Sequence, residues 1–179
     1  MHVATVQGDS SYVKLLLKFS DITKPSQAKP VIHIKHNTEH YIETRGSPVF
    51  CKARRLVPEK LQAAKREFQL LVSQGWCRPS KSAWASPLHM VTRKDDWRPC
   101  GDYRRLNTQN VPDRFRIPHV HDFAQNLLIK KIFFSTIDLV RAYHQIPVAA
   151  ADVPKTAVKI PFGLFEFLFM PLGLCNAVL

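Results

Sequence analysis

Residues 86–107 read SPLHMVTRKDDWRPCGDYRRLN and predict a β-hairpin followed by a helical turn. Two short strands are expected at residues 87–92 and 97–101, because both stretches are largely apolar and bounded by turn-forming residues. The polar tip RKDD joins the strands and gives the hairpin a basic edge. Residues 103–107 continue as a short helical turn.

A helix is predicted before the hairpin, at residues 58–75. Its apolar residues recur at helical spacing and are Leu61, Ala64, Phe68, Leu71 and Val72. Pro58 suits the first turn of a helix and Gly75 suits its end. The apolar stripe predicts core packing, while the basic opposite face is either a solvated surface or the border of a nucleic-acid path.

The rest of the chain alternates short helices and strands. A helix is predicted at 119–128, a strand at 132–139, a tight helical turn at 141–145, and strands at 156–160 and 164–167. Phe165, Phe167 and Phe169 alternate as in a strand, which favours core packing over a base-stacking platform. Hairpins with intervening helices indicate an α+β fold with an antiparallel sheet rather than a doubly wound parallel one.

The N-terminal part differs in character from the rest. Residues 1–48 contain three prolines and little periodic pattern, so they are predicted to be a linker with one short strand at 41–44. A folded domain is expected at residues 49–179.

Positive charge is concentrated in the middle of the chain. The whole sequence carries 26 Lys and Arg against 14 Asp and Glu, a net charge of +12. Residues 51–110 hold 13 basic and 5 acidic groups, which is +8 of that total. This distribution indicates either a groove that follows phosphates or a solvated charged face.

The sequence gives little support for a structural metal site or a membrane segment. His33, His36 and His40 lack a Cys pair or a carboxylate partner, so packed or exposed histidines are favoured over a metal site. The four cysteines form no C-x-x-C pair and are expected to be reduced thiols. No stretch resembles a signal peptide or is long and apolar enough to cross a bilayer.

Asp138 is the strongest candidate for chemistry by its position. It follows the apolar run IFFSTI at residues 132–137, where a carboxylate at a strand end can hold Mg²⁺ for phosphoryl or nucleotidyl transfer. Taken alone, an aspartate at such a position is more often a turn former or a cap.

Several sequence blocks favour a catalytic role for Asp138 over a turn or cap role. Together they resemble the reverse transcriptases of gypsy-class long-terminal-repeat retrotransposons. In chain order the blocks are WASP (84–87), WRPCGDYRRLN (97–107), IDLVRAYHQIPV (137–148), KTA (155–157), PFGLFEF (161–167) and MPLGLCNA (170–177). The resemblance extends from about Phe50 to the last residue.

The resemblance implies a right-hand polymerase fold, with the middle third forming the fingers and the later strands beginning the palm. Asp138 matches the family's first metal-binding aspartate, and the backbone carbonyl of Leu139 would share in coordination of Mg²⁺. The implied partners are an RNA or DNA template-primer, deoxynucleoside triphosphates and the remainder of a Pol polyprotein. No membrane partner is implied.

The resemblance also implies a nucleotide-binding set. Arg98 matches the arginine that contacts the incoming triphosphate, and its planar guanidinium suits phosphate oxygens. Arg93 and Lys94, at the hairpin tip, are secondary candidates. Tyr143 matches the aromatic gate beneath the sugar, although a tyrosine packed in the core remains an alternative. The motif residues Asp102, Tyr103, Arg104 and Asn107 are assigned mainly to holding the fingers against the palm.

Some positions depart from the family pattern. The two aspartates of the family's Y-x-D-D-type hairpin are not among the 179 residues, so we expect a truncated chain that is inactive as a polymerase on its own. Leu172 stands where gypsy-class sequences usually carry phenylalanine and related viral enzymes a glutamine. Asp96 replaces the usual hairpin glycine.

Three functional hypotheses follow from the sequence. The leading one is a fragment of an RNA-directed DNA polymerase, expected in cytoplasmic particles or the nucleus and not secreted. The second is a non-catalytic nucleic-acid-binding relic or domesticated fragment. The third is a chain that does not fold stably alone, because its palm sheet would lack a closing hairpin.

Overall fold

The computed structural model describes residues 8–19, 36–93, 96–114 and 142–177. The chain divides into two compact units, Met1–His33 and Ile34–Leu179. Three expected features lie outside the described residues: the helix at 119–128, the strand at 132–139, and the hairpin tip at 94–95. Among the helices in the described ranges, none combines the length and apolar character needed to cross a membrane.

The first unit contains one described helix, α1 (Ser11–Lys18), inside the stretch that the sequence predicts to be a linker. Its N-terminus is capped because the Ser10 hydroxyl accepts a hydrogen bond from the backbone N of Val13 at 3.3 Å. Within the part of the unit that the structure describes, Tyr12, Leu15, Leu16 and Leu17 of α1 are exposed and Val13 is half-buried.

Helix α2 (Pro58–Ser73) confirms the helix predicted before the hairpin. Its buried residues are Ala63, Ala64, Phe68 and Leu71. Val72, which the sequence placed in the apolar stripe, is 38% exposed. The helix ends just before Gly75, whose φ of +74° lies in the left-handed region that glycine adopts without strain.

Five strands form one sheet in the order β1-β5-β4-β2-β3. The strands are β1 (Cys77–Pro79), β2 (Ser86–Arg93), β3 (Asp96–Gly101), β4 (Val158–Ile160) and β5 (Gly163–Phe167). Neighbouring strands are antiparallel except β2 and β4, which pair in parallel at Ser86 and Pro87. The sheet confirms the α+β class and the four strands predicted in this part of the sequence.

The hairpin of β2 and β3 has a defined register. Leu88 lies opposite Gly101, and Val91 lies opposite Arg98. Because side chains alternate across a strand, this register determines which side of the hairpin each side chain occupies. The antiparallel pairing confirms the hairpin that the sequence predicts.

Strand β1 was not predicted. It has only three residues, which is too short for a periodic signal, and it forms by pairing with β5. Arg78 lies opposite Glu166, and its Nε donates to Glu166 Oε1 at 2.7 Å. Since Glu166 is 6% exposed, this ion pair and a hydrogen bond from the Ser80 hydroxyl satisfy a carboxylate that would otherwise be costly to bury.

Three short helical turns connect these elements. They are α3 (Arg104–Asn107) and the 3₁₀ helices η1 (Ala142–Gln145) and η2 (Val153–Thr156). α3 and η1 agree with the helical turns predicted at these places. η2 begins before the strand predicted at 156–160, which starts only at Val158.

An aromatic cluster joins α2 to the sheet. The ring of Phe68 lies 5.2 Å from Phe165, 6.2 Å from Phe167 and 6.1 Å from Phe162, measured between centroids. Phe167 and Phe169 are each 9% exposed. Phe167 and Phe169 are therefore core residues, as their spacing predicts, while Phe165 is half-buried in the same cluster.

Residues 36–51 belong to the second unit and pack on its later residues. The backbone N of His40 donates to Pro147 O at 2.8 Å, and Ile42 N donates to Asp152 Oδ2 at 2.9 Å. Ile42 is fully buried. The compact unit consequently begins at Ile34, earlier than the boundary at 48–49 expected from the sequence, because single residues in this segment pair with distant ones without a periodic pattern.

Candidate functional site

Arg98 is an exposed residue on β3, and its neighbour Trp97 is fixed by α2. Trp97 Nε1 donates to Glu59 Oε1 at 3.4 Å, and Lys60 Nζ lies 4.2 Å from the centre of the indole ring. A cation over an indole face is attracted by the ring's quadrupole. The N-terminal turn of α2 therefore orients the strand segment that carries Arg98.

A cavity of about 210 Å³ lies beside Arg98. Its described walls include Glu67 and Phe68 of α2, the strand segment around Arg98, and Pro171 and Leu172 from the turn after β5, which comprises residues 170–177. His144 of η1 also borders it. The lining combines polar and apolar groups in about equal measure. Arg98 contributes a permanent positive charge and Glu67 a carboxyl group, while the apolar side chains form the rest, so the cavity suits a ligand with both charged and apolar parts.

Tyr103 anchors the end of β3 in the core. It is 1% exposed, and its hydroxyl donates to the backbone O of Thr156 at 2.8 Å. Burial raises the pKa of Tyr103 well above its ordinary value, so the hydroxyl stays protonated and can donate. The Tyr103 ring can occupy this place because residue 101 is a glycine, whereas a Cβ at residue 101 would overlap the ring.

Asp102 binds two guanidinium groups. Arg104 donates through Nε to Oδ1 at 2.8 Å and through Nη2 to Oδ2 at 2.7 Å, and Arg54 Nη2 donates to Oδ2 at 2.5 Å. Its hydrogen bonds with Arg104, opposed in part by burial and supported by those with Arg54, hold the pKa of Asp102 well below its usual range. The Arg54 and Arg104 side chains are 43% and 82% exposed, so the partners of Asp102 lie at the surface.

The turn after β5 is tied to the segment after α3. Asn110 Nδ2 donates to Cys175 Sγ at 2.9 Å, and Asn176 Nδ2 donates to the backbone O of Val111 at 2.9 Å. Asp113 N donates to Asn176 Oδ1 at 3.3 Å. Residues 110–113, which directly follow the block at 97–107, therefore bind the block at 170–177.

The predicted site residues are only partly within the described structure. Arg98 borders the cavity, and Tyr143 lies half-buried in η1, next to His144. Arg93 ends β2, but only its backbone is described. Lys94, Asp138 and Leu139 lie outside the described residues, so their assigned roles stay predictions. Arg54 and Leu172 were not assigned to the site, and nothing local in the sequence marks Arg54 as a partner of Asp102.

No metal site is formed by the residues that the structure describes. Within those ranges, no three His, Cys, Asp or Glu side chains come together to hold an ion. His36 Nε2 is 3.2 Å from the backbone O of Gln145. Burial, opposed by the nearby charge of Asp152, lowers the pKa of His40. Neither histidine thus forms a metal-binding group with a described neighbour.

Comparisons with known proteins agree with this arrangement. The model of the family described as reverse transcriptase (RNA-dependent DNA polymerase) matches residues 85–179, more than half of the chain. The Retrovirus-related Pol polyprotein from transposon 297 of Drosophila melanogaster is 36% identical over 152 residues, covering 80% of this chain and 14% of that protein. The corresponding polyprotein from transposon gypsy of the same organism is 34% identical, covering 74% of this chain and 13% of that protein.

Solved structures share the fold. A foamy viral protease-reverse transcriptase in complex with an RNA/DNA hybrid superposes with a TM-score of 0.80 at 20% identity, covering 98% of this chain and 24% of that chain. A complex of the foamy viral protein with dsDNA gives 0.76 at 18% identity, covering 98% of this chain and 37% of that chain. At these identities the likeness establishes the right-hand polymerase fold alone, and the described hairpin and sheet are its fingers and part of its palm.

The chain spans 14% of the transposon 297 polyprotein and 13% of the gypsy polyprotein. These relatives confirm the resemblance to the Pol polyproteins of gypsy-class retrotransposons that the sequence blocks indicate. As a family, reverse transcriptases use divalent metal ions. With more than half of its length matched by the family model, the chain belongs to the reverse transcriptase family of RNA-dependent DNA polymerases.

Proposed function

We propose that this chain contributes the fingers and part of the palm to an RNA-directed DNA polymerase that extends a primer on an RNA or DNA template. The observation that carries the proposal is the cavity that is lined both by Arg98 of the hairpin and by Leu172 of the turn after β5. The comparisons give no support to the alternative of a non-catalytic nucleic-acid-binding protein.

Arg98 is proposed to bind the triphosphate of the incoming nucleotide. Arg98 is exposed and lines the cavity, and a guanidinium can make two parallel hydrogen bonds to phosphate oxygens. Arg93 and Lys94 are proposed to add positive charge at the hairpin tip. Tyr143 is proposed to contact the sugar, which is supported by its neighbour His144 at the cavity border.

Asp138 and the backbone carbonyl of Leu139 are proposed to hold Mg²⁺. The support is the family match, which includes both residues, and the preference of Mg²⁺ for carboxylate and carbonyl oxygens. When bound, divalent ions stabilise the charge on the attacking and leaving oxygens of nucleotidyl transfer. Arg98 would bind and orient the nucleotide, since it supplies fixed positive charge at a cavity that also has apolar lining residues.

The proposal is tested with a chimera in which this chain replaces the matching segment of the transposon 297 polyprotein. Primer extension on an RNA template is measured with Mg²⁺. We expect synthesis by the chimera, and Asp138→Asn should reduce its rate by at least about a hundredfold because the metal would lose a charged ligand.

Glu43→Gln is the matched control, because it removes the same charge from an exposed residue. It should leave the rate unchanged. Equal extension rates with and without Asp138→Asn, or no synthesis by a chimera that still binds the template-primer, would contradict the proposal.

A further inference from the structure

Asn107, at the end of α3, hydrogen-bonds to two backbone groups of the turn after β5. Its Nδ2 donates to Gly173 O at 2.9 Å, and its Oδ1 accepts from Cys175 N at 3.2 Å. A side-chain amide offers both a donor and an acceptor at one position. It therefore holds the turn on both sides of Leu174, which is 3% exposed.

The same turn touches the end of β3. Gly173 has a φ of +103°, and a Cβ at this position would lie 3.4 Å from Gly101 O and 3.6 Å from the ring of Tyr103. Leu172 immediately precedes Gly173 and borders the cavity, while Arg98 lies on the strand that ends at Gly101. The close approach of Gly173 to Gly101 therefore links the turn that carries Leu172 to the strand that carries Arg98.

The turn has other anchors besides Asn107. Asn110 binds the Cys175 sulfur, Asn176 binds Val111, and Leu174 is packed in the core. Loss of the Asn107 amide would consequently shift the turn rather than unfold it. Among these anchors, the two hydrogen bonds from Asn107 are made closest in sequence to Leu172. Their loss would therefore change the position of Leu172 more than that of the rest of the turn.

We propose that Asn107 is a positioning residue that sets the wall of the nucleotide cavity by fixing the place of Leu172, which lines the cavity together with Arg98. The inference rests on the proposed function, because it takes the ligand of this cavity to be a deoxynucleoside triphosphate. Asn107 itself does not border the cavity among the described lining residues. It acts through the backbone of the turn.

The first measurement is amide hydrogen exchange in the full 179-residue chain, followed by NMR at Cys175. Asn107→Ala removes the acceptor of the Cys175 amide and should accelerate its exchange about tenfold, while amides in α2 keep their rates. Thr108→Ala is the control, since Thr108 Oγ1 donates to Arg105 O within the same helix end and does not reach the turn. It should leave Cys175 exchange unchanged.

The second measurement is the dissociation constant of a fluorescent deoxyadenosine triphosphate in a double-mutant cycle. Asn107→Ala should weaken binding roughly three- to tenfold in the chain with Leu172, and should have no further effect in a Leu172→Ala background. This non-additivity separates a residue that acts through Leu172 from one that merely stabilises the fold, whose effects would add.

The outcomes distinguish the inference from the proposed function. Unchanged Cys175 exchange, or additive effects on a triphosphate affinity that the unsubstituted chain does show, would overturn the role of Asn107 alone. Absence of triphosphate binding by the unsubstituted chain would overturn both the proposed role of Arg98 and the nucleotide part of this inference. Accelerated exchange with a non-additive loss of affinity would support both.

Discussion

Asp102 shows how one carboxylate can order two cationic side chains. Arg104 is its near neighbour in sequence and binds both carboxylate oxygens, whereas Arg54 lies 48 residues away, before α2, and shares Oδ2 with Arg104. Both guanidinium groups keep N–H donors that are not used by Asp102. The network therefore fixes the direction of two positive groups without neutralising both of them.

The lowered pKa of Asp102 predicts a pH-dependent stability. Its folded-state pKa lies below the unfolded value of about 4, so the carboxylate stabilises the fold above that pH and loses this effect as the pH falls below it. Asp102→Asn should lower the free energy of unfolding at pH 7 by about 1 kcal/mol, because two charge-assisted interactions weaken. Urea unfolding at pH 7 and at pH 3 checks this.

The difference in stability between the original chain and Asp102→Asn should shrink at the lower pH. Glu43→Gln is the control, because Glu43 is exposed. It should show no comparable change between the two pH values. A constant difference at both would contradict the assignment.

The geometry at the end of β3 depends on the absence of a side chain at Gly101. Gly101 leaves room for the ring of Tyr103, and Tyr103 connects β3 to η2 through Thr156. Thr156 is fully buried, and its hydroxyl accepts a hydrogen bond from the backbone N of Phe167 at 2.8 Å. The fingers hairpin is consequently continuous with the palm strands through buried hydrogen bonds.

Two glycine substitutions separate crowding from backbone strain. Gly101→Ala should lower the free energy of unfolding by more than about 2 kcal/mol, because the new methyl group would overlap a buried ring. Gly75→Ala should cost only about 1 kcal/mol, because its φ is positive but nothing lies within 4 Å of the new Cβ. Chemical denaturation of both variants gives the two values.

The crowding explanation has its own control. In a Tyr103→Ala background, Gly101→Ala should lose most of its effect, since the ring that it meets is gone. The cost of Gly75→Ala should be the same in both backgrounds. A Gly101→Ala penalty that persists without the ring would refute crowding.

Charge is the property of the whole chain that bears most directly on its partner. The net charge is +12, and +8 of it falls within residues 51–110, which include α2, the hairpin and α3. Within the described ranges, many of these basic groups are exposed. Basic side chains that contact phosphates release counterions, so an affinity carried by such contacts falls steeply with salt.

Binding of an RNA/DNA hybrid to the chain should therefore weaken by at least about a hundredfold between 50 and 200 mM NaCl. Replacing Arg55 and Arg105 with glutamine should reduce the slope of log affinity against log salt by about 1 to 2. The same change at Lys14 and Lys18 of α1 should have little effect. Fluorescence anisotropy over a salt series measures the slopes, and affinity independent of salt would argue against phosphate contacts.

Much of the fold follows from local pattern in the amino-acid order. The apolar stripe at 58–75 and the hairpin at 86–101 could be predicted because a helix and a turn-linked strand pair depend on residues close together in the chain. Arg98 could be nominated because its block is specific to the family. Strand β1, the packing of residues 36–51 and the partnership of Arg54 with Asp102 could not, since each depends on distant residues.

The order of amino acids therefore settles the class of the fold, the family and the candidate residues, because periodicity and motif blocks are local in sequence. Folding settles which of these residues meet. Arg98 and Leu172 border one cavity, and Asn107 reaches Gly173 and Cys175, through contacts that span 65 residues or more along the chain. Such contacts leave no local signal, because their geometry is set by the strand register and by the packing of the turn against the end of β3.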